Sequence, residues 1–186
     1  MKKLFLSFGV GLSFSFMYAQ KMEVAVGYGT VSMYGVTNDL GTAISSTFIG
    51  ENTSTPSSNG ALNISAVIYN NNMRWRYGLD YVAEFYNTKG TNYTRKSSMS
   101  IMPKVDYFWS DANKKFRLYS GVSIGIYSDK GKYRDITTKM EEKFNNTHFA
   151  FNVTPIGFRY GGNLGLFLES NIGTKSIIQG GVSYMF

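Results

Sequence analysis

The feature that most constrains this chain is an alternation of apolar and polar residues with a period of two, which recurs from residue 22 to Phe186. Successive side chains of a β-strand point to opposite faces, whereas a helix buries residues three and four positions apart. No stretch after residue 19 holds a long apolar run or a helical stripe. The pattern therefore predicts an all-β protein.

The alternation divides into about eight predicted strands with lengths near the roughly 9 to 11 residues of a strand that crosses a bilayer. The predicted strands are 22–34, 61–70, 74–87, 97–109, 116–128, 147–160, 163–172 and 176–186. Short turns at 70–74, 110–115 and 160–163 alternate with longer links at 35–60, 88–96 and 129–146, and only the short link at 173–176 departs from this order. Short periplasmic turns and longer extracellular loops are typical of a transmembrane antiparallel up-and-down β-barrel.

The first residues have the pattern of a secretory signal peptide. Lys2 and Lys3 precede an apolar stretch that leads to Ala19 and Gln20. This stretch is shorter than the roughly 20 apolar residues of a membrane-spanning helix, so a retained anchor is the less favoured alternative. We predict a signal peptide at 1–19 and one outer-membrane barrel domain at 20–186.

Composition supports β-structure in an exported protein. The chain has 20 Gly, 14 Tyr, 14 Phe and no Cys, so aromatic strands without disulfides or a lipid anchor are expected. The formal net charge is +7, of which Lys2 and Lys3 supply two units. The remaining excess is compatible with anionic lipid headgroups or with a solvated surface.

Each predicted strand has one apolar face and one face of small or charged residues. The glycines on the polar face suit the crowded interior of a small barrel, which predicts that the apolar face meets lipid. The predicted lumen charges are Glu23, Arg76, Asp80, Glu84, Lys104, Asp106, Arg117, Arg159 and Glu169. Because their signs nearly balance, an ion-paired plug is expected, with a narrow gated path for small ions as the alternative.

Aromatic residues of the apolar face cluster beside the predicted short turns. An interfacial girdle of such rings is typical of membrane barrels, whereas a soluble barrel has no reason to align both tryptophans. The predicted girdle is Trp75, Tyr77, Tyr107, Trp109, Phe116, Tyr160, Tyr184 and Phe186.

The predicted strand at 147–160 shifts its apolar phase by one residue at Pro155. Since proline has no backbone N–H to donate, a β-bulge is expected there, and a break of the strand is the alternative.

The closing run PIGFRYGGNLGLFLESNIGTKSIIQGGVSYMF, together with the YAQ junction at 18–20, resembles the small outer-membrane β-barrel proteins common in Bacteroidetes. This resemblance implies the fold of the OmpA transmembrane domain and of OmpX-like barrels, and it carries no set of catalytic residues. It also implies that Val182, Tyr184 and Phe186 form the signal read by the barrel-assembly machinery.

Little in the sequence indicates catalysis. His148 is the only histidine, and a lipid A-modifying enzyme would pair it with a serine; Ser170 and Glu169 on the next predicted strand are the candidates. One His without Cys gives no metal-site spacing, and no phosphate-binding glycine loop or nucleic-acid motif is present. No cofactor and no nucleic-acid partner are expected.

We therefore predict a monomeric, non-enzymatic outer-membrane barrel with a structural or surface-interaction role. Its expected partners are outer-membrane lipid, lipopolysaccharide and, during insertion, the assembly machinery. The links at 35–60 and 129–146 are the predicted binding elements. A narrow porin-like channel is the second prediction and a lipid A-modifying enzyme the third.

Overall fold

The chain folds into a closed barrel of eight strands in a computed structural model that describes residues 21–33, 36, 56–134 and 140–186. The strands are β1 (Met22–Gly29), β2 (Ser57–Tyr69), β3 (Trp75–Asn87), β4 (Tyr93–Phe108), β5 (Phe116–Arg134), β6 (Glu141–Gly161), β7 (Leu164–Gly173) and β8 (Ile178–Met185). Each pairs antiparallel with the next, and β8 pairs with β1. The predicted signal peptide, residues 35 and 37–55 of the first long link and residues 135–139 of the predicted link at 129–146 lie outside the described residues.

Across the described ranges, no helix is both long and apolar enough to cross a membrane.

The barrel is apolar outside and polar inside. On the outward face Ile124 and Leu166 are each 60% exposed, whereas Asp80 and Arg159 are each 1% exposed in the interior. Soluble proteins bury their aliphatic side chains and expose their charges. The reversed arrangement is that of a transmembrane barrel, whose outward band contacts lipid.

The seam between the first and last strands is built on facing glycines. Gly27 pairs with Gly181, and the Phe186 N–H donates to the Met22 carbonyl over 2.8 Å. A Cβ on Gly27 would lie 2.7 Å from Phe167 Cζ, and one on Gly181 would lie 2.8 Å from Phe167 Cε1. The glycines therefore leave room for an aromatic ring that points into the barrel.

The predicted link at 129–146 is wrong in extent, because β5 continues to Arg134 and β6 begins at Glu141. The β4 strand likewise begins at Tyr93, inside the predicted link at 88–96. The rings of Tyr93 and Tyr133 pack on Phe144, with centroids 6.1 and 6.5 Å away. These contacts support the pairing of β4, β5 and β6 in a region where their outward faces are polar. The first predicted strand is too long, since β1 ends at Gly29.

The β-bulge expected at Pro155 is confirmed. The β6–β7 register shifts between Val153 and Ile156, and the strand continues on both sides. The Ser120 hydroxyl donates to the Pro155 carbonyl over 2.6 Å, which satisfies that group beside the irregularity.

Candidate functional site

The lumen holds a cluster of ion pairs near the end of the barrel that carries the β2–β3, β4–β5 and β6–β7 turns, called here the short-turn end. Glu23 of β1 forms salt bridges with two arginines: its Oε2 lies 2.8 Å from Arg159 Nε and its Oε1 lies 2.8 Å from Arg76 Nη1. Arg76 also contacts Asp106, with Nη2 2.6 Å from Oδ2. Tyr69 donates its hydroxyl to Glu23 over 2.8 Å. Four strands thus meet at these charges.

A second group of ion pairs continues from Asp106 toward the middle of the barrel. Lys104 Nζ lies 3.1 Å from Asp106 Oδ2 and 3.6 Å from Asp80 Oδ1. Lys175 Nζ lies 3.2 Å from Asp80 Oδ2 and 2.7 Å from Glu169 Oε2.

These contacts form one unbroken series of charges that alternate in sign. We call it the lumen network, and it runs in the order Arg159, Glu23, Arg76, Asp106, Lys104, Asp80, Lys175 and Glu169. Its four cations and four carboxylates are all buried. A cavity of ≈ 10 Å³ between Glu23, Lys104 and Glu169 is about the volume that one water probe occupies.

Lys175 is the member of the lumen network that the sequence analysis missed. It lies between β7 and β8, in the link at the end opposite to the short turns, yet it is only 1% exposed. The period-two pattern says nothing about side chains in a link. A carboxylate on the polar face, such as Glu169, needs a partner cation when it is buried. Lys175 is the first lysine after Glu169 in the chain, so the sequence offers it as a candidate.

Two predicted lumen charges lie outside the lumen network. Glu84 accepts hydrogen bonds from Ser32, Ser58 and Tyr86, and no cation forms a salt bridge with it within the described ranges. Arg117 lies at the short-turn end, where it donates to the Met73 carbonyl and where its Cζ lies 3.8 Å from the Phe108 ring centroid. Its partners there are a carbonyl and aromatic faces instead of a carboxylate.

The predicted girdle residues lie together on the outer face at the short-turn end. Trp75 pairs with Tyr107, their ring centroids are 4.9 Å apart, and Trp109 lies 5.0 Å from Tyr107. Trp75 and Trp109 are 40% and 64% exposed. The remaining residues of the predicted girdle also point outward near this end: Tyr77, Phe116, Tyr160, Tyr184 and Phe186. Val182, the remaining residue of the predicted assembly signal, is also outward and 50% exposed.

The structure separates the residues considered for catalysis. His148 lies opposite Tyr127 on β5, with ring centroids 6.5 Å apart. Ser170 pairs with Ile156, eight residues along β6 from His148, which is roughly 26 Å of extended strand. Ser170 and Glu169, the candidate partners in a lipid A-modifying enzyme, therefore do not lie near His148, because the register at the bulge places them toward the other end of the strand. Among the described residues, no group of His, Cys, Asp and Glu has the arrangement of a metal site.

Comparison with solved structures supports the same architecture. The chain resembles the crystal structure of neisserial surface protein A, with a TM-score of 0.50, 15% sequence identity, and coverage of 89% of this chain and 94% of that chain. No protein-family model and no curated protein matches the sequence. At this identity the likeness shows the fold, which is an eight-stranded antiparallel up-and-down barrel of the transmembrane type.

Proposed function

We propose that this chain is a non-enzymatic integral outer-membrane barrel whose lumen is closed by ion pairs and whose role is structural or surface-interactive. The lumen network is the observation that supports this proposal. It joins β1, β3, β4, β6 and β7 and includes a lysine from the opposite link. Because each charge of the lumen network has a partner of opposite sign, opening a path would expose unpaired charges in a low-dielectric interior.

The outer membrane is the proposed location, since a closed barrel with an outward apolar face needs a bilayer and short turns typically face the periplasm. In this orientation the aromatic girdle lies at the periplasmic boundary. The OmpA and OmpX type and the Bacteroidetes grouping are also part of the proposal, supported by the quoted closing run and by the strand number. The proposed form is a monomer inserted by the barrel-assembly machinery.

Two measurements test this proposal. Membrane-extracted protein is expected to migrate faster on a gel before boiling than after it, because a closed barrel resists detergent until heated. Liposomes that contain the refolded protein are expected to swell in an isosmotic small sugar no faster than empty liposomes. Fast swelling would overturn the closed lumen, and a chain that stays soluble without detergent would overturn the membrane location.

A narrow porin-like channel for small solutes or ions is the second candidate, and Glu84 favours it. This buried carboxylate lies toward the end opposite to the short turns. It accepts hydrogen bonds from hydroxyls and from the Ser32 N–H, and no described cation forms a salt bridge with it. A carboxylate of that kind would attract a cation entering from outside. A lipid A-modifying enzyme is the third candidate: altered lipid A acylation on expression, lost in His148→Ala, would overturn the non-enzymatic part of the proposal.

A further inference from the structure

The outward face of β4, β5 and β6 carries a row of cations beyond the apolar band. Arg95 pairs with Lys132 and Lys132 pairs with Lys143, so three positive side chains lie side by side across three strands. Lys130 lies two residues before Lys132 on the same face of β5. We call these four residues the basic row. Like charges directly opposite each other on paired strands are destabilising, so this arrangement has a cost in the bare protein.

Few carboxylates offset this charge. Glu141 Oε2 lies 4.0 Å from Lys132 Nζ, and both side chains are about 40% exposed, so the pair contributes little. The other nearby carboxylate among the described residues, that of Glu142, accepts a hydrogen bond from the Tyr133 hydroxyl. The buried cations of the lumen network each have a close carboxylate, whereas among the residues that the structure describes the basic row has one salt bridge, at 4.0 Å, for four positive charges.

The basic row continues the lipid-facing columns of the barrel. Below it on the same outward face lie Ile101, Ile126 and Phe149, which are 48%, 59% and 64% exposed. Lys130 is four residues beyond Ile126 and Lys132 is six, or roughly 13 and 20 Å of strand, and a lysine stem reaches back toward the boundary while its ammonium stays in the polar layer. The basic row therefore lies at the height where lipid headgroups begin.

The same surface forms an open groove of ≈ 500 Å³ between the three strands. The basic row lines it together with Ser97, Met99 and Asn145. Gly131 and Phe144 also line the groove, which thus combines two apolar side chains, two neutral hydrogen-bonding side chains and four cations. This combination suits a molecule with an acyl chain and a phosphate-bearing headgroup.

We propose that the groove and the basic row bind the phosphorylated headgroup of an outer-leaflet glycolipid, with its acyl chains lying on the outward face below Met99. This inference rests on the proposed membrane location and assigns the surface-interaction role to a site on the barrel wall. The phosphate groups neutralise a row of like charges whose one salt bridge within the described ranges is the contact of Lys132 with Glu141. The contact fixes the lipid beside β4 to β6, where β5 and β6 extend farthest.

The test uses the folded full-length protein in a neutral detergent, with diphosphorylated lipid A, chemically dephosphorylated lipid A and inorganic phosphate as probes. Native mass spectrometry measures how much of each probe stays bound. We expect the wild type to retain diphosphorylated lipid A. Its affinity for the dephosphorylated form is expected to be lower by a factor of about ten or more. Equal retention of the two lipids, or equally effective competition by inorganic phosphate alone, would overturn a headgroup site.

Variants of the basic row complete the test. Lys132→Gln with Lys143→Gln is expected to weaken lipid retention about tenfold. Lys132→Arg with Lys143→Arg keeps both positive charges and is expected to retain the lipid as the wild type does. Lys114→Gln with Lys115→Gln removes the same charge from the β4–β5 turn and is expected to change nothing. The proposal would be overturned by unchanged lipid retention in the Lys132 and Lys143 glutamine variant. An equal loss of retention in the Lys114 and Lys115 glutamine variant would also overturn it. Heat-modifiable migration of every variant, measured separately, distinguishes a lost lipid site from a failure of the barrel or of its membrane location.

Discussion

Lys175 and Glu169 are six residues apart in the chain, and Lys175 Nζ lies 2.7 Å from Glu169 Oε2 inside the lumen. The link between β7 and β8 therefore folds back into the barrel and supplies a cation from the end opposite to the short turns. Gln179 also donates its side-chain amide to the same carboxylate oxygen, and Tyr119 donates its hydroxyl to the other oxygen over 2.7 Å. Glu169 is thus held by residues from three parts of the barrel wall.

Removing this cation tests how strongly the lumen network stabilises the barrel. Lys175→Met leaves Asp80 and Glu169 without their shared lysine, so we expect the free energy of unfolding to fall by about 3 to 5 kcal/mol. Urea unfolding in detergent micelles measures the change. Lys114→Met, at an exposed position of the β4–β5 turn, is the control and is expected to stay within about 0.5 kcal/mol of the wild type. An equal response of the two variants would contradict a stabilising lumen network.

Two arginines of the lumen provide a second contrast. Arg76 contacts Glu23 and Asp106, whereas Arg117 contacts the Met73 carbonyl and aromatic rings. Arg76→Met is expected to destabilise the barrel by about 3 to 5 kcal/mol because it leaves two buried carboxylates with one cation fewer. Arg117→Met leaves no carboxylate unpaired and is expected to cost about 1 kcal/mol, read from the same urea transition. A larger loss of unfolding free energy in Arg117→Met than in Arg76→Met would show that the ion pairs are not the main contribution of these arginines to stability.

The glycine seam predicts a sharp difference between neighbouring positions. A Cβ on Gly181 would lie 2.6 Å from Gly27 Cα, whereas the nearest atom to a Cβ on Gly180 would be 3.5 Å away. Gly181→Ala is expected to destabilise the closed barrel by about 1 to 3 kcal/mol, and Gly180→Ala by less than about 0.5 kcal/mol. The fraction of heat-modifiable protein along a urea series measures both. Equal tolerance of the two alanines would contradict the close approach of β1 and β8.

The aromatic girdle predicts where the tryptophans lie in a bilayer. In single-tryptophan variants made with Trp75→Phe or Trp109→Phe, fluorescence is expected to be quenched more by lipids brominated near the headgroup than by lipids brominated near the chain end. Lack of quenching by any brominated lipid would contradict contact with the membrane. Stronger quenching by the deep label would contradict an interfacial position.

The sequence pattern predicts the strand number, the two faces and the bulge at Pro155, because each depends on local alternation or on proline chemistry. It does not predict the position of Lys175, since a side chain in a link has no periodic neighbour that shows its direction. It places 129–146 in a loop because polar residues there alternate without an apolar face, although Tyr133 and Phe144 pack together within the extended strands. The separation of His148 from Ser170 depends on register, which the alternation alone does not determine.

The central claim is that the lumen network closes the barrel, and single-channel recording in planar bilayers tests it most directly. The refolded wild-type protein is expected to insert without steady conductance steps, because the buried ion pairs fill the interior and leave a cavity of only ≈ 10 Å³ beside them. Steady, ion-selective steps from the wild type that disappear in Arg76→Met or Glu84→Gln would contradict the closed lumen and establish a narrow channel.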